Sequence, residues 1–204
     1  MSPFEKIVRH FERFPGIGSR QARRFAFHIL TLDAENTQEL SDLIRSLREG
    51  VISCVSCGKF HTRQHSTPYC TICSDQTRDH SKLTVVERDT DIDAIEKSGM
   101  YDGTYFVLGG TVPLLESKEN NKLRGGMLKH IIAEKITKGL REVILGFSVN
   151  PDGENTERYI EMLLKEHLEN NTLRISHLGR GLSTGSELEY ADPDTIKNAF
   201  KNRT

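Results

Sequence analysis

The sequence predicts an α+β chain of several modules: a helical N-terminal region, a four-cysteine metal module, an α/β domain built on a parallel sheet, and a helical C-terminal segment. Three observations carry that expectation. Apolar residues recur at helical spacing up to Val51, all four cysteines lie between Cys54 and Cys73, and from residue 83 short apolar runs alternate with helical patterns. The changes of pattern place the module boundaries at 1–53, 54–79, 80–176 and 177–204.

In the first region, Phe4, Ile7, Val8, Phe11 and Phe14 mark one helix, and Ala22, Phe25, Ala26, Ile29 and Leu30 mark a second. Pro15-Gly16-Ile17-Gly18 separates them. Leu40, Leu43, Ile44, Leu47 and Val51 belong to a third helix, expected from about Thr37 to Glu49. The connector Phe14–Arg20 resembles a helix-hairpin-helix motif, in which two glycines bracket an apolar residue packed between the helices. Gly16 and Gly18 then allow close backbone approach, and free amides at the next helix start favour a phosphate. Arg20, Arg23 and Arg24 follow as candidate contacts to a nucleic-acid backbone. The same residues also read as an ordinary tight turn with a solvated basic face.

Cys54-x2-Cys57 and Cys70-x2-Cys73 are two knuckles separated by twelve residues. Each turns two thiolates toward one point, and together they complete a tetrahedral site suited to structural Zn²⁺. Disulfides are the alternative, which a cytosolic chain has little reason to form. His61 and His65 lie inside the loop, and four thiolates already fill the ligand set, so both read as loop histidines.

In the α/β region, Leu83–Glu87, Tyr105–Leu108, Val143–Phe147 and Leu173–Ser176 read as strands. Helices are expected near Thr90–Lys97, Leu123–Lys138, Glu154–Glu169 and, closing the chain, Asp192–Lys201. Ligands of parallel sheets gather beyond the carboxyl ends of the strands. Glu87 ends the first strand and Asp152 and Glu154 follow the third, so the three carboxylates read either as a Mg²⁺ site or as solvated loop acids. An acid closing one strand and an acid-x-acid pair after a later one resembles the Toprim domain.

The chain has 204 residues, 36% hydrophobic and 28% charged, with no apolar run long enough for a bilayer. Its N-terminus, Met1-Ser2-Pro3-Phe4-Glu5-Lys6, lacks a signal-peptide pattern, and a cytoplasmic location is the expectation. The net charge of −1 argues against indiscriminate coating of nucleic acid, yet residues 1–30 carry six Lys and Arg against two Glu, while residues 83–204 carry 16 basic and 20 acidic side chains. Phosphate contacts therefore belong to the N-terminal end. No Gly-x4-Gly-Lys-Ser/Thr phosphate loop and no tyrosine in an obvious nucleophile motif are present.

Together these parts resemble the RecR family of bacterial recombination-repair proteins over nearly the whole chain. The matching segments are Phe14–Gly18 with Ala26-Phe27-His28, the four cysteines, Val85-Val86-Glu87 with Asp91–Gly99, Glu142–Leu145, Gly153-Glu154 with Thr156, and Leu188–Asp192. The resemblance implies a ring-shaped DNA clamp, a homo-oligomer that is usually a tetramer, assembled through its N-terminal helices and C-terminal segments. It implies action with RecO, and in many bacteria RecF, to load RecA at single-strand gaps. The Toprim domain would then be non-catalytic, with Glu87, Asp152 and Glu154 on the RecO-facing surface and Arg20, Arg23 and Arg24 facing DNA. A Mg²⁺-dependent enzyme acting on phosphodiesters through the three carboxylates is the alternative. The sequence departs from the family pattern at Gly109–Gly126, Phe147–Asn150 and Gly181–Ser186.

Overall fold

The computed structural model describes residues 1–63, 67–114, 123–179, 181–182, 185 and 187–203. The chain divides into two compact units, Met1–Ile52 and Ser53–Thr204.

The first unit holds helices α1 (Pro3–Phe11), α2 (Ser19–Thr31) and α3 (Ala34–Gly50). A reciprocal cap starts α1: the Glu5 amide donates to Ser2 Oγ at 3.2 Å and the Ser2 amide donates to the Glu5 carboxylate at 2.8 Å. Val8 packs on Ala22 and Ala26, with Phe4, Phe11 and Ile17 around them. The two alanines are small enough for α1 to lie close along α2. The turn between them passes through Gly16 at φ +75°, a conformation that side chains with a Cβ seldom adopt. Helix α3 begins three residues before its expected start, because the Asp33 carboxylate accepts the Asn36 amide at 2.8 Å and caps it there.

Strand β1 (Val51–Ser53) crosses the boundary between the units, and in the second unit β2 (Phe60–Thr62) and the short α4 (Thr71–Ser74) frame the cysteines. The rest is a four-stranded parallel sheet in the order β4-β3-β5-β6, from β3 (Asp79–Val86), β4 (Gly103–Val107), β5 (Glu142–Gly146) and β6 (Arg174–His177). It is the sheet the sequence predicts, with β3 reaching back to Asp79 across a register irregularity before Leu83.

One face carries Leu83, Val85, Phe106, Leu108, Val143 and Leu145 beneath Leu128 and Ile132 of α6 (Gly125–Thr137) and Ile160 of α7 (Pro151–Leu163). The other presents Val86, Tyr105 and Val107 to Ile92 of α5 (Asp89–Ser98) and to Ile72 of α4. Strands buried on both faces explain why they read as unbroken apolar runs.

The single helix expected over Glu154–Glu169 is two: α7 starts at Pro151, capped by the Asn150 side chain on the Gly153 amide at 2.8 Å, and yields at Leu164 to α8 (Lys165–Glu169). A 3₁₀ turn (Leu188–Tyr190) and α9 (Pro193–Lys201) end the chain. Among the described residues no helix is long and apolar enough to cross a membrane.

Arg78 fastens the segment leaving the cysteines to the sheet. Its Nη1 donates to Glu96 at 2.9 Å, its Nη2 meets the same carboxylate, and Tyr105 donates to Glu96 at 2.6 Å. These donors, Arg78 first, hold the Glu96 carboxyl below its ordinary value. A depressed folded value stabilises fully above the unfolded value of about 4.3 and is lost as pH falls through the folded one. Arg78→Met should therefore cost about 1–3 kcal/mol at pH 7, and that cost should shrink as pH is lowered below about 4, as read by urea unfolding at both pH values.

Candidate metal centre and nucleic-acid interface

Cys54, Cys57, Cys70 and Cys73 bring their sulfurs within 4.8 Å of one another. Two backbone turns aim them. The Gly58 amide donates to Cys54 O at 2.9 Å, closing the first knuckle, and the Ser74 amide donates to Cys70 O at 3.0 Å, closing the second. Gly58 sits at φ +75°, as the tight first turn demands.

Cys57 Sγ and Cys70 Sγ are 3.6 Å apart. Zinc–sulfur bonds of about 2.3 Å in a tetrahedron put sulfurs about 3.8 Å apart, whereas a disulfide needs about 2.05 Å. The four sulfurs thus fit a tetrahedral ion. Backbone amides reinforce the set: Lys59 N–H points at Cys57 Sγ at 3.5 Å and Cys70 N–H at Cys54 Sγ at 3.4 Å, each favouring thiolate. Hydrogen bonds from Cys57, and after it Cys70 and Cys73, drive the Cys54 thiol far below the usual thiol range, while donation to Cys54 drives Cys57 upward. Four protein sulfurs leave no open coordination position, the pattern of a structural rather than a catalytic ion. His65 lies outside the described residues, and His61 Nδ1 sits 3.1 Å from the Thr62 carbonyl.

Among the described residues the cysteines are the group of His, Cys, Asp or Glu side chains gathered closely enough for a metal. Glu87, just past β3, pairs with Arg88 at 2.6 Å. Asp152, in the first turn of α7, accepts the Leu114 amide at 3.0 Å. Glu154, in the same turn, borders a cavity of about 660 Å³ with Asp192, Thr195 and Lys197.

In the N-terminal unit, Gly18 occupies the N-cap of α2 and supplies no side-chain cap. The first amides of α2 accordingly lack the acceptor that Asp33 provides to α3. Arg20, Arg23 and Arg24 are exposed and share a helix face by their three- and four-residue spacing. Lys6, Arg9 and Arg13 of the preceding segment are exposed as well, a contribution the sequence registers only as charge.

Family models match three stretches of the chain: RecR helix-hairpin-helix over residues 4–48, a Toprim domain over 81–178 and RecR C-terminal over 181–204. The chain is 36% identical to the recombination protein RecR of Moorella thermoacetica over 201 residues, covering 98% of this chain and 96% of the relative. It is 35% identical to that of Porphyromonas gingivalis over 200 residues (98% and 91%) and 32% identical to that of Streptococcus thermophilus over 203 (100% and 97%).

The chain belongs to the RecR family. Membership accounts for the order of modules, and it accords with a non-enzymatic role built around a structural metal. Within this RecR-family fold, sequence reasoning missed Arg124. Its guanidinium donates to Val107 O at 3.0 Å and lies 5.7 Å from the centre of the Phe60 ring. Phe60 and Val107 are far from it in sequence, and no local pattern announces the contact.

Purified protein should contain one zinc per chain by elemental analysis. Cys57→Ala should abolish that stoichiometry, because a site of three sulfurs loses the closed tetrahedral set.

Proposed function

We propose that this chain is a DNA-binding clamp and mediator of recombinational repair, acting with RecO, and with RecF where it is present, to promote RecA loading at single-strand gaps. The observation that carries DNA binding is the start of α2, where amides without a side-chain cap precede Arg20, Arg23 and Arg24. Backbone amides and guanidinium groups grip phosphates without reading bases, so binding is independent of sequence and steeply dependent on salt. Gly16 and Gly18 serve by allowing the turn to approach the backbone closely.

Assembly into a homo-oligomer is part of the same reading. Leu43, Ile44 and Leu47 on α3 are 56%, 64% and 64% exposed, and Phe27 and Leu30 on α2 are 58% and 69% exposed. Apolar surface of that extent is what burial against a second copy would remove from water. Phe200 and Tyr190 give the C-terminal segment exposed apolar groups as well, which supports a second contact and hence closure into a ring. Glu87, Asp152 and Glu154 act in this proposal as a partner-facing acidic edge rather than as a Mg²⁺ set. Support comes from their separate engagements, Glu87 with Arg88 and Asp152 with the Leu114 amide.

Incubation with gapped duplex, with and without RecO and Mg²⁺, should give binding and no strand cleavage; cleavage that disappears in Glu87→Gln would overturn the reading. Replacing both Arg20 and Arg24 by Ala should weaken binding equally across sequences and make the slope of log affinity against log salt shallower by about 2, at about 0.9 per lost phosphate contact. In light scattering, Leu43→Glu combined with Leu47→Glu should yield a smaller species; an unchanged mass would exclude α3 from the assembly.

A further inference from the structure

Strand β4 lies at the edge of the sheet, with β3 on one side only. Edge strands ordinarily present a row of unpaired backbone groups to solvent. Yet all five residues of β4 are buried, Thr104, Tyr105, Phe106 and Val107 to 1% exposure or less. The cysteine module meets that edge at Val107. The Val107 amide, which β3 does not use, donates to the carbonyl of Cys57 at 2.7 Å. The Val107 carbonyl accepts from Arg124, and the Gly103 carbonyl at the other end of β4 accepts from Arg78.

The module holds this position through further contacts to the sheet domain. The Phe60 amide donates to Asp89 Oδ1 at 2.7 Å, and Lys59 pairs with Asp93 at 3.0 Å. Ile72 packs both against the cysteines and against the core of Val86, Ile92, Tyr105 and Val107. Gly58 is so close that a Cβ there would meet Arg124 Nη1 at 3.1 Å and the Val107 carbonyl at 3.2 Å. Cys57 is therefore a metal ligand through its sulfur and a partner of the sheet edge through its carbonyl.

The residues after Val107 lead from that edge to the acidic one. The Leu108 amide donates to Val86 O at 2.8 Å and the Gly109 amide to Glu87 O at 3.0 Å. The Cys57 carbonyl thus takes the amide that immediately precedes these two.

We propose that metal occupancy of the four cysteines is a conformational switch for the edge of the sheet: the loaded module covers β4 and holds Val107–Gly109, and its loss uncovers that edge and loosens the backbone that positions Glu87. The metal would act through Cys57, because the knuckle is too short to keep its own shape once the sulfurs are released. Cys54, Cys57 and Cys70 are buried, whereas Cys73 borders an open groove of about 670 Å³ lined by Tyr69, His80, His130 and Lys135. Metal would exchange from that side.

Amide hydrogen exchange on the full chain, zinc-loaded and stripped by a chelator under reducing conditions, tests the proposal. Stripping should speed exchange at Val107 by about 100-fold and at Gly109 by about 10-fold, while Val85 and Val143 inside the sheet change by less than about threefold. Unchanged protection at Val107 would overturn the proposal. So would equal loss at Val107 and Val143, since that is global unfolding rather than opening of an edge. Gly58→Ala separates the cover from the metal itself. It keeps all four sulfurs, and with one zinc bound it should still speed exchange at Val107, since its Cβ would press on the Val107 carbonyl; parental protection in that zinc-loaded variant would overturn the cover of Val107 by the knuckle.

Discussion

The hydrogen bond from the Val107 amide to the Cys57 carbonyl joins the cysteine module to the edge of the parallel sheet. The knuckle has almost no apolar interior of its own, its buried groups being cysteines with Ile72 beside them. The sheet has an edge strand whose outward backbone groups need partners. A metal-binding turn laid along that strand satisfies both requirements. The turn that brings the sulfurs within 4.8 Å of one another is also the one whose Cys57 carbonyl accepts from the Val107 amide.

Charge is divided unevenly along the chain. Basic side chains gather at the N-terminal helices, where Arg20, Arg23 and Arg24 stand exposed beyond the buried Ala22 and Ala26. Acidic residues gather at the carboxyl edge of the sheet, and there they are occupied by local partners: Asp152 by a backbone amide, Glu87 by Arg88. A near-zero net charge thus hides a basic N-terminal segment and a net acidic α/β segment.

The elements legible in the sequence are those whose cause is local. Helical spacing marks α1, α2 and α6, apolar runs mark the four strands, and the two Cys-x2-Cys pairs mark the metal centre before any coordinate is known. Ends were legible less often, since a cap is one side chain. Asp33 starts α3 and Asn150 starts α7, each three residues before the apolar pattern would suggest. Leu164, where α7 yields to α8, is wholly buried in the core, and nothing in its local sequence marks the break.

Modules, their order, the four clustered cysteines and the basic turn are all legible in the sequence, because each rests on residues close together in the chain. The strand order β4-β3-β5-β6, the contact of the cysteine module with Val107, and the separate engagements of Glu87 and Asp152 emerge from the fold instead. It alone assigned Arg124, whose guanidinium bonds a carbonyl seventeen positions earlier in the chain. Contacts of that kind depend on which surfaces meet when the sheet closes, and the physical reason they leave no trace in sequence is that neither partner has a preference of its own until the other is in place.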